Sequence, residues 1–330
     1  MKRPIYIFSS GELRRKDNTL FFENDDGKRY IPVNNTSEIH IFGEVDINKR
    51  FLEFATTSEI ILHFYNYYGY YAGTYYPREH LNSGYMILKQ AEHYLDTSKR
   101  LKLAKEFIIG AVKNIQQAIR YYINRGKDLQ KIEDEIKSLE QRIDGCSGTD
   151  ELMAIEGNVR EYYYQAFDEI IQKPEFKFEE RTRRPPRNNL NTMISFGNSL
   201  MYTTCLSEIY KTHLDPRIGF LHSTNFRSFT LNLDIAEVFK PIIVDRVIFT
   251  LLGRNIIKAA DFEKQTGGLL MKEKAKKAFV QEFEDKLRTT IKHRKLGRNV
   301  SYRRLIRMEL YKLQKHLIGE ENYQAFVARW

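Results

Sequence analysis

Residues 74–95, TYYPREHLNSGYMILKQAEHYL, hold the point at which this chain changes texture. Thr74-Tyr75-Tyr76 ends a series of short aromatic and β-branched runs, and Pro77 stops it. From Gly84 the apolar residues recur at helical spacing. Upstream, residues 5–8, 19–22, 30–33, 38–42 and 60–65 read as strands. Turn chemistry at Ser10-Gly11, Asp25-Asp26-Gly27 and Asn34-Asn35 separates the first of them. One short helix is predicted over 47–56, where Phe51, Leu52 and Ala55 share a face. Downstream, helices are predicted over 84–94, 99–125 and 129–143, the last with Leu129, Ile132, Ile136, Leu139 and Ile143 in an apolar stripe. Gly145-Cys146-Ser147-Gly148 breaks the pattern, and Thr149 or Asp150 is placed to cap the next helix, which carries Glu156. The expected fold class is α+β. A small, mostly antiparallel N-terminal β-domain over 1–80 precedes a larger all-α domain over 81–330.

Composition narrows the function classes. The chain has 330 residues, with 53 Lys and Arg against 43 Asp and Glu, a formal charge of +10. That excess favours a polyanionic partner without identifying one. Mean hydropathy of −0.53 describes a folded, soluble chain. Cys146 and Cys205 stand far apart with no CxxC, which argues against a zinc knuckle or a disulfide framework and for a reducing compartment. The opening MKRPIYIFSSGELRRKDN has no apolar core of a signal peptide, and no run approaches the ~20 apolar residues of a membrane span. A cytoplasmic protein with no membrane partner is expected. Walker A, GxGxxG and GxSxG patterns are absent.

Chemistry concentrates in residues 218–239, IGFLHSTNFRSFTLNLDIAEVF. His222 is followed by Asp234-Ile235-Ala236-Glu237, where an extended run turns helical. Glu156, beside Gly157, lies on a separate predicted helix. Two carboxylates and an imidazole from different elements make an oxygen-rich set suited to Mg²⁺ or Mn²⁺. Each also has an ordinary reading. Glu156 pairs with Arg160 one helical turn on. Asp234-x-x-Glu237 is a capping box. His222 is a hydrogen-bonded, half-buried side chain. Gly157, costly in mid-helix, suggests close approach by another backbone or a ligand.

Two basic segments could grip phosphate. In residues 181–187, Arg183, Arg184 and Arg187 flank Pro185-Pro186, whose rigidity limits the entropy lost on binding. Asn188, Asn189 and Asn191 then supply turn chemistry or an N-cap. Near the C-terminus, Lys292, Arg294 and Arg298 form a dense knot. Ser301 is placed to cap a last helix with Ile306, Leu310, Leu313 and Leu317 inside and Arg304, Arg307, Tyr311 and Lys315 outside. The tyrosine-rich run 64–71 fits packing or an interface better than base stacking.

Taken together, several stretches resemble one family. They are Ser83-Gly84-Tyr85 with Lys89-Gln90, Met153-Ala154-Ile155-Glu156-Gly157 with Tyr163, and Arg183-Arg184-Pro185-Pro186 with Asn191. Ser195-Phe196-Gly197-Asn198-Ser199-Leu200, Gly219-Phe220-Leu221-His222 and Asp234-Ile235-Ala236-Glu237 with Pro241 and Val244-Asp245-Arg246 follow in order. The chain resembles the CRISPR-associated adaptation integrase/endonuclease family, of Cas-one type, along nearly its whole length. The resemblance implies that Glu156, His222 and Glu237 are metal ligands and catalytic residues, with Asp234 supporting them. It implies strand transfer, in which the 3′-hydroxyl of a spacer precursor attacks a phosphodiester of the CRISPR repeat. It also implies a homodimer formed through the β-domain and a small ferredoxin-like adaptation partner of Cas-two type. One departure stands out: Asn188-Asn189 occupies the place where the family commonly has Asp-Pro. The competing readings are a structure-selective repair nuclease and a non-catalytic DNA-binding scaffold.

Overall fold

The computed structural model describes residues 2–78, 81, 83–183, 185–224, 229–265, 268–293 and 296–329. The chain divides into two compact units, residues 1–80 and 81–330.

The first unit contains β1 (Arg3–Ile7), β2 (Gly11–Lys16), β3 (Thr19–Asn24), β4 (Gly27–Ile31), β5 (Thr36–Ile41) and β6 (Val45–Ile47), then α1 (Lys49–Thr57), β7 (Ile61–Tyr65) and β8 (Tyr71–Tyr75). They form two four-stranded sheets, ordered β1-β5-β7-β8 and β4-β3-β2-β6. Strand β5 is buried along its whole length. Its alternation puts Ile39 and Ile41 on one face, in the apolar core with Leu62, Leu13, Leu20 and Phe51. Glu38 and His40 take the other face. Complete burial of Leu20 or Phe51 is worth about 1.5–3 kcal/mol each.

The expected mostly antiparallel arrangement needs correction. Pairs β1·β5, β5·β7 and β2·β6 are parallel. The antiparallel pairs are β2·β3, β3·β4 and β7·β8. The crossover from β5 through α1 to β7 supplies the longer connection that a parallel pair requires.

The second unit is mainly helical: α2 (Gly84–Leu95), α3 (Thr97–Ile123), α4 (Gln130–Gln141), α5 (Thr149–Ile171), α6 (Asn189–Ile209), α7 (Leu231–Phe239) and α8 (Val244–Gly253). It is not all-α. Hairpin β9 (Phe262–Gln265) and β10 (Gly268–Met271) precedes α9 (Glu273–Arg288), and hairpin β11 (Thr290–His293) and β12 (Arg298–Ser301) precedes α10 (Tyr302–Leu317). The α+β class stands, as strand-rich followed by helical. Among the described residues no helix is long and apolar enough to cross a membrane.

Helix α6 is buried on all sides, so it is the central rod of this unit. Its Ser199, Thr203 and Thr204 hydroxyls satisfy themselves on carbonyls one turn back. Asn188 caps it, accepting from the Asn191 amide at 2.8 Å. An aspartate would cap equally well, so the departure at 188 preserves the local structure. Helix α7 packs against α3 and α6. Buried Asn114 of α3 donates to the Val238 carbonyl at 2.8 Å and pins the end of α7. Helix α5 begins after Gly148 without a side-chain cap, so neither Thr149 nor Asp150 plays that role.

Candidate active site

Glu156 and Arg160 lie one turn apart on α5, and the expected pairing forms: Arg160 Nε donates to Glu156 Oε1 at 3.2 Å. The same guanidinium reaches across to α7, where Nη2 donates to Glu237 Oε2 at 2.7 Å. The ordinary pairing is therefore also the bridge between the two carboxylates. Glu237 receives a second cation from Lys240, one turn further along. Lys240 itself lies 4.8 Å above the Tyr202 ring. Asp245 at the start of α8 lies 3.8 Å from Arg160 Nη1.

Three carboxylates thus crowd two buried cations. Burial, and then the charge of Glu237, raises the pKa of Glu156. Burial alone would raise Glu237 too, but Lys240, Arg160 and His222 outweigh it and hold that carboxylate far below its ordinary range. Burial pushes Asp245 up to about 6 despite Arg160 and Lys240. The cluster is short of positive charge, the condition a divalent ion relieves.

His222 sits in an irregular loop, not the extended run expected. Asp234 organises that loop. Its Oδ2 accepts from the Phe220 and Leu221 amides at 2.6 and 3.1 Å, and its Oδ1 from the His222 amide at 3.0 Å. Asp234 therefore caps the loop from within α7 and is not the N-cap of its own helix. That cap is Thr230, and no side-chain bond is made there. Gly219 makes this approach possible, because a Cβ there would stand 2.9 Å from Asp234 Oδ2. His222 Nδ1 also lies 2.7 Å from Asp234 Oδ1. Donating its Nδ1–H to the carboxylate leaves Nε2 with a lone pair, the arrangement typical of ligating histidines. Burial would lower the His222 pKa, but the hydrogen bond to Asp234 and its charge prevail and raise it. The donor set is therefore chemically suited to a divalent cation.

The ligand atoms of Glu156, His222 and Glu237 are not all within 4.8 Å of one another. Among the described residues the one set with that spacing is Glu38, His40 and His63 of the first unit, a buried cluster compatible with a divalent ion. Gly157 does not mark a close backbone contact, since a side chain there would meet open space.

Of the basic residues, Arg184 and Arg294 lie outside the described residues. Arg183, Arg187 and Lys292 are exposed, and Arg187 pairs loosely with Glu180 at 3.7 Å. Lys292 stands on hairpin β11·β12, where a helical region was expected. The proline loop rests on the other hairpin. Leu269 donates to the Pro186 carbonyl, and Gly268, at φ +123°, comes so close to Pro185 that a Cβ would be 2.4 Å away. Ser301 caps α10 as expected. Arg304 is half-buried, its guanidinium 5.8 Å from the Tyr311 ring centre. Arg307 is committed to buried Glu208 at 2.6 Å. Arg160, Lys240 and Asp245 went unrecognised as members of the site. Only Arg160 had a local signal, its i+4 spacing from Glu156.

The family model for CRISPR-associated protein Cas1 matches residues 5–285. The chain belongs to the Cas1 family. A Cas1 endonuclease of Thermodesulfovibrio yellowstonii is 63% identical over 330 residues, covering all of both chains. A solved Cas1 protein from Thermotoga maritima has a TM-score of 0.89 at 48% identity, covering 98% of this chain and 100% of that one. A casposase bound to its integration product shares the fold, with a TM-score of 0.89 at 19% identity, covering 99% of this chain and 93% of that one.

Proposed function

We propose that this chain is a divalent-metal-dependent DNA endonuclease and integrase of CRISPR adaptation. In this reading Glu156, His222 and Glu237 hold Mg²⁺ or Mn²⁺, and Asp234 orients His222. The observation that carries it is the excess of negative charge at Glu156 and Glu237, beside an imidazole whose Nδ1 is already anchored. A bound ion would neutralise the non-bridging oxygens of a phosphodiester and lower the pKa of an attacking hydroxyl.

The protein side chains do the rest. Arg160 and Lys240 hold two like charges together, one on each Glu237 oxygen, and each of those oxygens keeps a further lone pair with which it would hold an ion. Asp234 keeps the Nε2 lone pair of His222 directed away from its own carboxylate. Arg183, Arg184 and Arg187, with Lys292, Arg294 and Arg304, provide the basic surface for spacer precursor and repeat, while Arg307 is held by buried Glu208. The reaction joins the donor 3′-oxygen to phosphorus and releases the 3′-oxygen of the cut repeat strand. One phosphodiester replaces another, so no nucleoside triphosphate is consumed. With water as the nucleophile the same site cuts.

Family membership supports the DNA chemistry, and the integration product held by the casposase supports joining over cutting alone. The same fold occurs in a Cas6-RT-Cas1–Cas2 complex at 17% identity, in line with a Cas-two-type partner. A homodimer through the strand-rich unit completes the proposal. The deciding experiment incubates the chain and its partner with labelled spacer precursor and a repeat duplex, with Mg²⁺, Mn²⁺ or chelator. Metal-dependent covalent joining at the repeat is expected. Cut fragments alone would indicate a repair nuclease, and binding without product would indicate a scaffold.

A further inference from the structure

We propose that Glu38, His40 and His63 form a second, structural metal site within the sheet β1-β5-β7-β8, suited to Zn²⁺ or a similar first-row divalent ion. The parallel register of β5 and β7 places His40 directly opposite His63. Glu38 precedes His40 by two residues, so period-2 alternation puts all three on the face turned away from the apolar core. One ligand atom from each lies within 4.8 Å of the others. That spacing is close to what metal bonds of ~2.0–2.2 Å to imidazole and carboxylate permit around one ion.

The imidazoles are pre-set for ligation. His40 Nδ1 lies 2.8 Å from the Tyr65 hydroxyl, and His63 Nδ1 lies 2.9 Å from Thr74 Oγ1. Anchoring Nδ1 fixes the orientation of each ring, as the outer partners of ligating histidines do. His40 Nε2 is fully buried with no hydrogen-bond partner, and the Glu38 carboxylate is 3.6 Å away, too far for a hydrogen bond. Buried polar atoms are nearly always satisfied. An ion between His40, Glu38 and His63 satisfies this one.

Two nitrogens and one carboxylate favour a borderline ion such as Zn²⁺ over Mg²⁺. All three residues are completely buried, so no substrate reaches them and the ion's role is to clamp β5 to β7. The site is independent of the one on α5 and α7.

The test uses the full chain carrying Glu156→Ala and Glu237→Ala, so that loss of the helical site cannot be confused with loss of this one. The protein is stripped with chelator, loaded with Zn²⁺ and desalted, and its metal is counted by mass spectrometry. About one equivalent should remain, and the loaded protein should melt higher than the stripped form. Adding His63→Gln should abolish both retention and the thermal shift. Retention unchanged by His63→Gln, or no retained zinc in the parent variant, overturns the proposal. Should His63→Gln fail to fold, zinc-edge X-ray absorption of the parent variant decides. Scattering from two imidazoles supports the site, and fewer than two refutes it.

Discussion

The two Glu/His sets in this molecule are built in opposite ways. Glu38, His40 and His63 come from neighbouring strands, and sheet register alone brings their ligand atoms together. Glu156, His222 and Glu237 come from a helix, a loop and another helix, and their ligand atoms are held wider. Arg160 and Lys240 occupy the carboxylates in between. A sheet fixes ligands rigidly and buries them, which suits a clamp. A site assembled from helices stays partly open, with His222 and Glu156 side chains each 18% exposed, and places buried cations between its carboxylates. Rigidity and access trade against each other.

The strongest way to break this contrast is to remove the helical carboxylates. Glu156→Ala, His222→Ala and Glu237→Ala should each lower joining by at least about a thousandfold, because several kcal/mol of charge stabilisation is lost. DNA retention, carried by phosphate contacts, should persist. Gel-resolved joining and filter binding on the same preparations check this. Wild-type-like joining by any of the three would remove that residue from the proposed ligand set. Next in size is Arg160→Met, which leaves Glu237 with Lys240 alone beside two other carboxylates. Removing one partner of a buried ion pair costs about 3–5 kcal/mol. Denaturant melts of the chelated protein should show it, and added Mn²⁺ should recover part of the loss. A variant as stable as the parent would mean that Arg160 does not hold the carboxylates together.

The same contrast explains what the sequence could and could not tell. Strands β3, β5 and β7 announce themselves through runs such as Thr19-Leu20-Phe21-Phe22. Strand β2 does not, because Arg14, Arg15 and Lys16 face solvent and only Leu13 is buried. Strands β9, β11 and β12 carry one charged residue or more in every four and read as continuations of helices. Glu156, His222 and Glu237 were legible as residue types on separate elements, strengthened by resemblance. Lys240 and Asp245 were not, since their membership depends on how α5, α7 and α8 pack. Asp234 was read as capping its own helix because a capping box is local, whereas the bonds it makes run back to a loop twelve to fourteen residues earlier. The sheet cluster left no signal, because only parallel register puts His40 opposite His63.

A smaller effect sharpens the point about stored charge. Glu156 has a raised pKa, through burial first and Glu237 second. Ionising it therefore costs stability as pH climbs from about 4.3, its unfolded value, through the raised folded value, and the cost is fully present above that. Glu156→Gln carries no charge to bury. In chelator at pH 7.5 it should be more stable than the parent by on the order of 1 kcal/mol, the usual size of such gains at functional sites. The gain should vanish below about pH 4, where the parent carboxyl is protonated in both states. A destabilised Glu156→Gln at pH 7.5 would show that Arg160 fully compensates the pair.

The smallest effect separates exposed from committed cations. Arg183 and Lys292 are exposed, so each should contribute through phosphate contact alone. Replacing either by alanine should weaken DNA binding equally on unrelated sequences and reduce the salt slope by about 1. Arg307 is spent on Glu208, whose pKa burial would raise but Lys211 and Arg307 hold down. Arg307→Ala should therefore show mainly as lower stability, with the salt slope unchanged. A loss of slope at Arg307 equal to that at Arg183 would mean that its bond to Glu208 yields to DNA, and the basic face of α10 would then belong to the binding surface.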